Sequence, residues 1–303
     1  MGSVGMKTVY PSYFPEFRCI ADRCGHSCCI GWEIDIDSDT LTKYRSVSGE
    51  IGSRLCKSIS VTDGCACFTL GKDERCPFLN KKGLCDIITE LGEDYLCEIC
   101  SDHPRFRSFF SERTEIGLGL CCEEAARVIL NRSEKASLVE EGEGDANEIE
   151  SELLHTRSII FDILQNRETG IDERLSALEK RYSLENIHSL NVKKLYKSLE
   201  ILDKSWPEML DLLPDGEKLA LPDNTDIQLE QLAVYFIYRH LPEVIYGASL
   251  RETIGFCLLS TYLIGTLCRH GITVEEAARM YSSEIEYSDE NPAIIMEEIS
   301  SLI

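Results

Sequence analysis

"CIADRCGHSCCIGW", Cys19 to Trp32, places Cys19, Cys24, Cys28 and Cys29 within eleven residues. A thiolate is a nucleophile, a redox partner or a metal ligand, and this density governs how the first third of the chain folds. Thirteen of the 15 cysteines lie between Cys19 and Cys122. The other two, Cys257 and Cys268, sit in the apolar run Thr253–Cys268, where a thiol reads as a small buried hydrophobe. Disulfide frameworks belong to small secreted domains. A chain of 303 residues with an odd cysteine count, opening "MGSVGMKTVYPSYF" without an apolar signal core, does not fit one. Ligation of a metal or an iron–sulfur cluster accounts better for the set.

The spacing carries this further. Cys19-x4-Cys24-x3-Cys28-Cys29 is followed by Cys76-x8-Cys85 in "CPFLNKKGLC", Cys97-x2-Cys100 in "CEIC" and the pair Cys121–Cys122. A metal held from such distant segments would close several loops and organise an otherwise irregular module. Zinc normally takes two CxxC knuckles, and only Cys97–Cys100 has that spacing. Iron–sulfur clusters tolerate less regular spacing, often with a Cys-Pro such as Cys76-Pro77, so a [4Fe–4S] cluster is favoured, with zinc as the alternative. Radical chemistry on S-adenosylmethionine commonly uses a CxxxCxxC loop. Cys24-x3-Cys28 supplies its first half, but position 31 is Gly31, so that reading fails. Neighbours in sequence point apart, so one of Cys28 and Cys29 is expected to face a metal and the other the core or a second site. His26 reads as a supporting residue rather than a ligand, and Trp32 as a core anchor for the loop.

The blocks "YPSYFPEFRCIADRCGHSCCIGWEIDIDSDTLTKY", "CPFLNKKGLCDI", "LGEDYLCEICSDHPRF" and "LGLCCEEAARVIL" resemble, in that order, the signature blocks of the flagellin lysine-N-methylase family. That family is itself similar to a wider cysteine-rich CxxCxxCC zinc- or iron-chelating family. The resemblance runs from Tyr10 to Leu130; beyond it, only helical character and length agree. It implies an N-terminal iron–sulfur module and methyl transfer from S-adenosylmethionine to flagellin lysine ε-amino groups. Carried over position by position, it implies Cys19, Cys24, Cys28, Cys29, Cys76, Cys85, Cys100 and Cys122 as metal-binding positions. Cys97 and Cys121 fall beside such positions, and Cys56, Cys65 and Cys67 lie in an insert as structural or free thiols. His103 in "DHPRF" replaces the family's aromatic residue. No catalytic or cofactor-binding residue carries over.

Composition excludes several partners. The net charge of −22 repels nucleic-acid phosphate and anionic membrane surfaces. Residues 1–130 carry 15 Lys and Arg against 20 Asp and Glu, whereas residues 131–303 carry 16 against 33. The acidic second half reads as a solvated helical surface; an acidic face for a lysine-rich partner is the sharper alternative. The sixteen-residue apolar run Thr253–Cys268 is short of the roughly 20 residues a spanning helix needs, so it reads as a buried core helix. The expectation is a soluble, cytoplasmic protein that binds no nucleic acid and inserts in no membrane.

The predicted fold is mainly α: an irregular cysteine-rich metal-binding module over residues 1–135, then an all-helical domain over 147–303. The acidic stretch "EEGEGDANEIESE" is the expected boundary. "WEIDIDSDT" alternates at Trp32, Ile34 and Ile36 and predicts an extended segment, with Ser38 or Asp39 capping the next helix. "CEEAARVILNR" predicts a helix with Cys121 and Cys122 at its start. Ile149, Leu153, Leu154, Ile160, Phe161 and Leu164 mark an amphipathic helix in the second half. Tyr235, Phe236 and Tyr238 read as core. "EIGLGL", Glu115–Leu120, has one GxG and no third glycine, a weak nucleotide signal. Asp102, His103, Arg105 and Arg107 read equally as an anion clamp or as a local ion pair that fixes the loop. Two further functions stay open beside the methylase: a non-catalytic zinc- or iron-binding module with a helical interaction domain, and a redox or electron-transfer protein.

Overall fold

The computed structural model describes residues 6–62, 64–213, 216 and 219–303. Residues 1–5, part of the opening in which no secretory signal was read, lie outside the described residues. The strands are β1 (Lys7–Pro11), β2 (Asp35–Ile36), β3 (Ile59–Thr62), β4 (Cys65–Phe68), β5 (Arg105–Phe109), β6 (Arg113–Leu118) and β7 (Leu138–Glu141). The helices of the first part are α1 (Ser38–Ser46), α2 (Gly49–Ser58), α3 (Asp86–Leu91), α4 (Glu98–Asp102) and α5 (Glu123–Leu130). The rest are α6 (Glu148–Leu164), α7 (Ile171–Tyr182), α8 (Val192–Ser198), α9 (Trp206–Asp211), α10 (Asp226–His240), α11 (Leu250–Arg269), α12 (Val274–Tyr281) and α13 (Asn291–Ser300). Helices predominate, as the sequence predicts. The first part is less irregular than expected, because it contributes strands to two sheets.

The chain forms two compact units: Arg18–Arg105, and Met1–Phe17 together with Phe106–Ile303. The sequence places the boundary in the acidic stretch, but the units divide elsewhere. The reason is strand pairing. β1 pairs with β6 in parallel and with β7 antiparallel, in a four-stranded sheet of order β5-β6-β1-β7. The segments flanking Arg18–Arg105 in sequence are thereby zipped into one sheet that belongs with the helices. No composition change marks this long-range pairing.

In the helical unit, α10 is buried continuously from Leu229 to Tyr238, and α11 from Thr253 to Leu267. Tyr235, Phe236 and Tyr238 are core, as read. The Tyr238 hydroxyl donates towards the Val9 and Ile116 carbonyls, at 3.2 and 3.1 Å, so α10 tethers both parallel strands. Ile149 departs from the expected stripe and is 74% exposed. The buried face of α6 is instead Glu150, Leu153, Arg157, Ile160 and Leu164, a helical stripe with two charged members. Each has its partner. Glu150 completes a capping box with Asn147 and accepts from the Ser111 backbone at 2.7 Å; Arg157 clasps Glu115 of β6 with two bonds of 2.5 and 2.7 Å. A hydropathy pattern cannot place charges inside; only their partners do.

The cysteine-rich unit has a small core of its own: Ile34, Ile36, Tyr44, Ile51, Leu55, Ala66, Phe68, Cys76, Phe78, Leu79, Ile87 and Cys97. Its sheet is antiparallel, in order β2-β4-β3. The cap of α1 is Asp37, one residue before the earlier expected candidate, with Oδ1 accepting the Thr40 N–H at 2.8 Å.

Candidate metal centre

Four stretches of the cysteine-rich unit place thiols in or against this core. The Cys76 N–H donates to the Cys29 carbonyl at 2.8 Å, which ties the "CGHSCC" loop to "CPF". A β-bridge pairs Leu79 with Cys85 and folds the ten-residue stretch Cys76–Cys85 back on itself. Cys85 caps α3, its sulfur facing the Ile87 and Ile88 N–H groups. Cys97 caps α4, and Cys100 follows one turn later. Asp37 orients that turn: while Oδ1 caps α1, Oδ2 accepts the Glu98 N–H at 2.9 Å. One carboxylate thus starts two helices, and those backbone bonds hold it below the usual carboxylate range against the upward push of burial. The buried Tyr44 hydroxyl donates to the Tyr95 carbonyl at 2.7 Å. Burial raises its pKa, and Cys97, Cys100 and Cys85 raise it further.

The thiols also act on one another. The Cys28 thiol hydrogen-bonds Cys29 and brings it down to about 7 despite burial, helped by the Ser27 hydroxyl and the Arg75 charge. Burial pushes Cys76 up to about 12, with Cys29 and Cys85 adding to the rise. Cys97 and Cys100 act on each other, so the first proton of the pair leaves more easily and the second far less so. Cys29 and Cys76 add to the rise at Cys100. Cys29, Cys76, Cys85, Cys97 and Cys100 therefore form one electrostatically linked set, with Cys28 at its exposed margin.

Other sequence-derived positions fall elsewhere. Cys19 is exposed, and its sulfur accepts the Ala21 N–H at 3.4 Å. The half-buried Cys24 thiol donates to the His26 carbonyl at 3.2 Å. Cys122 caps α5 and belongs to the helical unit, as does the half-buried Cys121, whose thiol bonds Tyr287 and is pushed up to about 12 by burial. Cys97, read as an extra, stands inside the set; its signal was the CxxC spacing itself. Trp32 is half-buried rather than a core anchor. Its indole N–H donates to the Cys28 carbonyl at 2.6 Å, and its ring lies 6.2 Å from that of His103. Burial, with the Arg105 charge, brings His103 down to about 4. Arg105 donates to the Ser101 carbonyl at 3.2 Å, a bond that fixes the turn.

The donor chemistry of the set fits a soft or borderline metal: five thiols, two buried and three half-buried, drawn from separate loops. As they stand, among the described residues, no three His, Cys, Asp or Glu side chains are arranged to hold an ion. The weak nucleotide signal has a packing explanation. In "EIGLGL" a Cβ on Gly117 would stand 2.2 Å from the Phe106 ring, so the missing side chain makes room for Phe106, not for a phosphate. Gly31, where the radical-enzyme motif would need a cysteine, has φ +93°, a conformation that L side chains resist. No helix among the described residues is long and apolar enough to cross a membrane.

Over 139 residues, 43% of its length, the chain is 29% identical to the flagellar biosynthetic protein FliU of Salmonella muenchen, covering 80% of that protein. It is equally similar to the lysine-N-methylases of Salmonella typhimurium and Salmonella choleraesuis, but there the match covers 34% of each. The chain is thus related, over less than half its length, to proteins named for lysine methylation and flagellar biosynthesis. No family model matches the chain. No solved structure matches it.

Proposed function

We propose that this chain takes part in lysine N-methylation of flagellin, with a thiolate-bound metal in its cysteine-rich unit. The similarity to lysine-N-methylases carries the first half of this reading, and the linked thiol set carries the second. Cys29, Cys76, Cys85 and Cys100, with Cys97 beside them, are the residues that would hold the metal. Bound there, a zinc ion would cross-link four loops, and an iron–sulfur cluster would add one-electron chemistry. The chain's own part is to present the sulfurs. The two caps of Asp37 aim α4, the Cys29–Cys76 backbone bond joins two loops, and the Cys28 thiol keeps Cys29 ready to ionise at neutral pH.

One observation favours a second reading. The shared stretch makes up most of FliU but only a third of each methylase. A metal-binding module without its own transferase activity would account for that proportion. Incubation of the purified chain with S-adenosylmethionine labelled in the methyl group and flagellin from the same cell separates the two. Label on flagellin lysines supports the methylase. Metal in stoichiometric amount without label supports the module, and neither metal nor label overturns both.

A further inference from the structure

We propose that the outer edge of β7 docks an extended, lysine-bearing peptide, which adds to the sheet as a further strand. The sheet of order β5-β6-β1-β7 ends in β5 on one side and in β7 on the other. The β5 edge is closed at Phe109, whose N–H donates to the Tyr246 hydroxyl at 3.2 Å and whose carbonyl accepts from that hydroxyl. The β7 edge is open, and the register fixes where. The Ser12 N–H donates to the Ser137 carbonyl at 2.8 Å, and the same register sets Tyr10 opposite Val139 and Thr8 opposite Glu141. On its other side β1 turns its odd positions to β6, as the Lys7 N–H donates to the Glu112 carbonyl at 2.9 Å. Bonded and non-bonded pairs alternate along an antiparallel ladder, so Val139 and Glu141 spend their backbone groups on β1. Those of Leu138 and Glu140 point outward, and among the described residues nothing bonds them. Two N–H groups and two carbonyls in register are what an extended peptide needs to join a sheet.

Charge selects the occupant. Glu140, Glu141, Glu143 and Asp145 follow one another along this edge and are all exposed. A second β7 would bring the same carboxylates against them, and two chains of net charge −22 repel, so the edge is guarded against its own copy. A lysine-bearing strand meets the opposite situation. Glu140 already has Lys7 and Arg113, at 3.2 and 3.1 Å. Glu141 accepts from the Tyr10 hydroxyl, and among the described residues neither it nor Glu143 meets a Lys or Arg side chain. An added strand lies about 4.8 Å from β7, so its lysines reach Glu141 and, past the strand's end, Glu143. The backbone supplies the binding, and the carboxylates supply the preference for lysine. The inference rests on this edge and its charges and is independent of the methyl-transfer reading.

The test uses the full chain and, as probe, a fluorescent octapeptide of alternating lysine and threonine. Binding is followed by anisotropy, and amide exchange by NMR with and without the peptide. In the free chain the Leu138 and Glu140 amides should exchange fast, being unpaired, and the peptide should slow both. The same peptide methylated on every backbone nitrogen keeps its charge but should not bind. Glu141→Gln with Glu143→Gln should weaken binding about three- to tenfold, the loss of two exposed charge pairs. The proposal is overturned if the methylated peptide binds as tightly, which is adsorption to an acidic surface. It is overturned equally if exchange at Leu138 and Glu140 does not respond, if the Gln variant binds unchanged, or if the free chain dimerises with those two amides already protected.

Discussion

The two units of this protein are held by different means. The helical unit has a large apolar core, including nearly all of α11, and several of the charges it buries meet an opposite charge. Arg157 and Arg113 meet Glu115, Arg167 and Arg174 meet Glu230, and Arg239 and His240 meet Glu286. The cysteine-rich unit has a core of twelve residues, two of them thiols, with Cys29, Cys85 and Cys100 packed against it. A core that small gives little margin against chain entropy, and small domains of this kind usually carry a cross-link or a metal. The contrast teaches where each unit is vulnerable: the first to loss of a buried partner, the second to loss of a sulfur.

The largest effect should come from emptying the thiol set. Cys76→Ala with Cys100→Ala should abolish stoichiometric metal binding and open Arg18–Arg105 to protease, while the helical unit keeps its fold. Fragment mapping by mass spectrometry checks this; equal digestion of both units would break the comparison.

A buried charge should come next. Glu115→Ala leaves the buried Arg157 guanidinium without its carboxylate and Arg113 with Glu140 alone, and should cost about 3–5 kcal/mol in urea unfolding. Asp37→Ala removes caps from α1 and α4 together and should cost about 1–2 kcal/mol, read as faster amide exchange in the cysteine-rich unit only.

The effect that is smallest at any one step of pH also lies within the helical unit. Glu284 and Glu286 sit two residues apart on the π-helical turn Ser282–Glu286 and respond oppositely. Burial pushes Glu284 up to about 7, although the Leu202 and Asp203 N–H groups oppose the rise. Burial also pushes on Glu286, but Arg239 and His240 more than offset it and bring it down to about 2. The folded state thus holds the Glu284 proton more tightly than the unfolded chain. Its contribution is complete below about 4.5 and is lost as pH rises through about 7, by at most about 1.4 kcal/mol per pH unit. Glu286 works the other way: its contribution is present above about 4.5 and lost as pH falls towards about 2. Glu284→Gln should flatten the decline between pH 5 and 7 in thermal melts, and an unchanged profile would remove Glu284 as its source.

Much of the helical half was legible because burial there follows the helical period. "CEEAARVILNR" formed α5, "TIGFCLLSTYLIGTLC" lies within α11, and the aromatic stripe of α10 is core. The period failed at Ile149, where Glu150 and Arg157 take the inward places on the strength of Ser111 and Glu115. In the candidate site, the spacing of "CEIC" pointed to a pair, whereas the role of Asp37 in starting α4 joins positions 61 residues apart and left no local trace.

By itself the sequence determined that the chain is mainly helical, that its cysteines crowd into the first 122 residues, and that its net charge is −22. Those properties follow from composition and local period, which each segment carries alone. Only the tertiary structure decided that β1 pairs with β6 across the whole cysteine-rich stretch, and that Cys29, Cys76, Cys85, Cys97 and Cys100 share one environment. Both depend on backbone hydrogen bonds and burial between distant segments, whose partners are specified only once the chain has closed on itself.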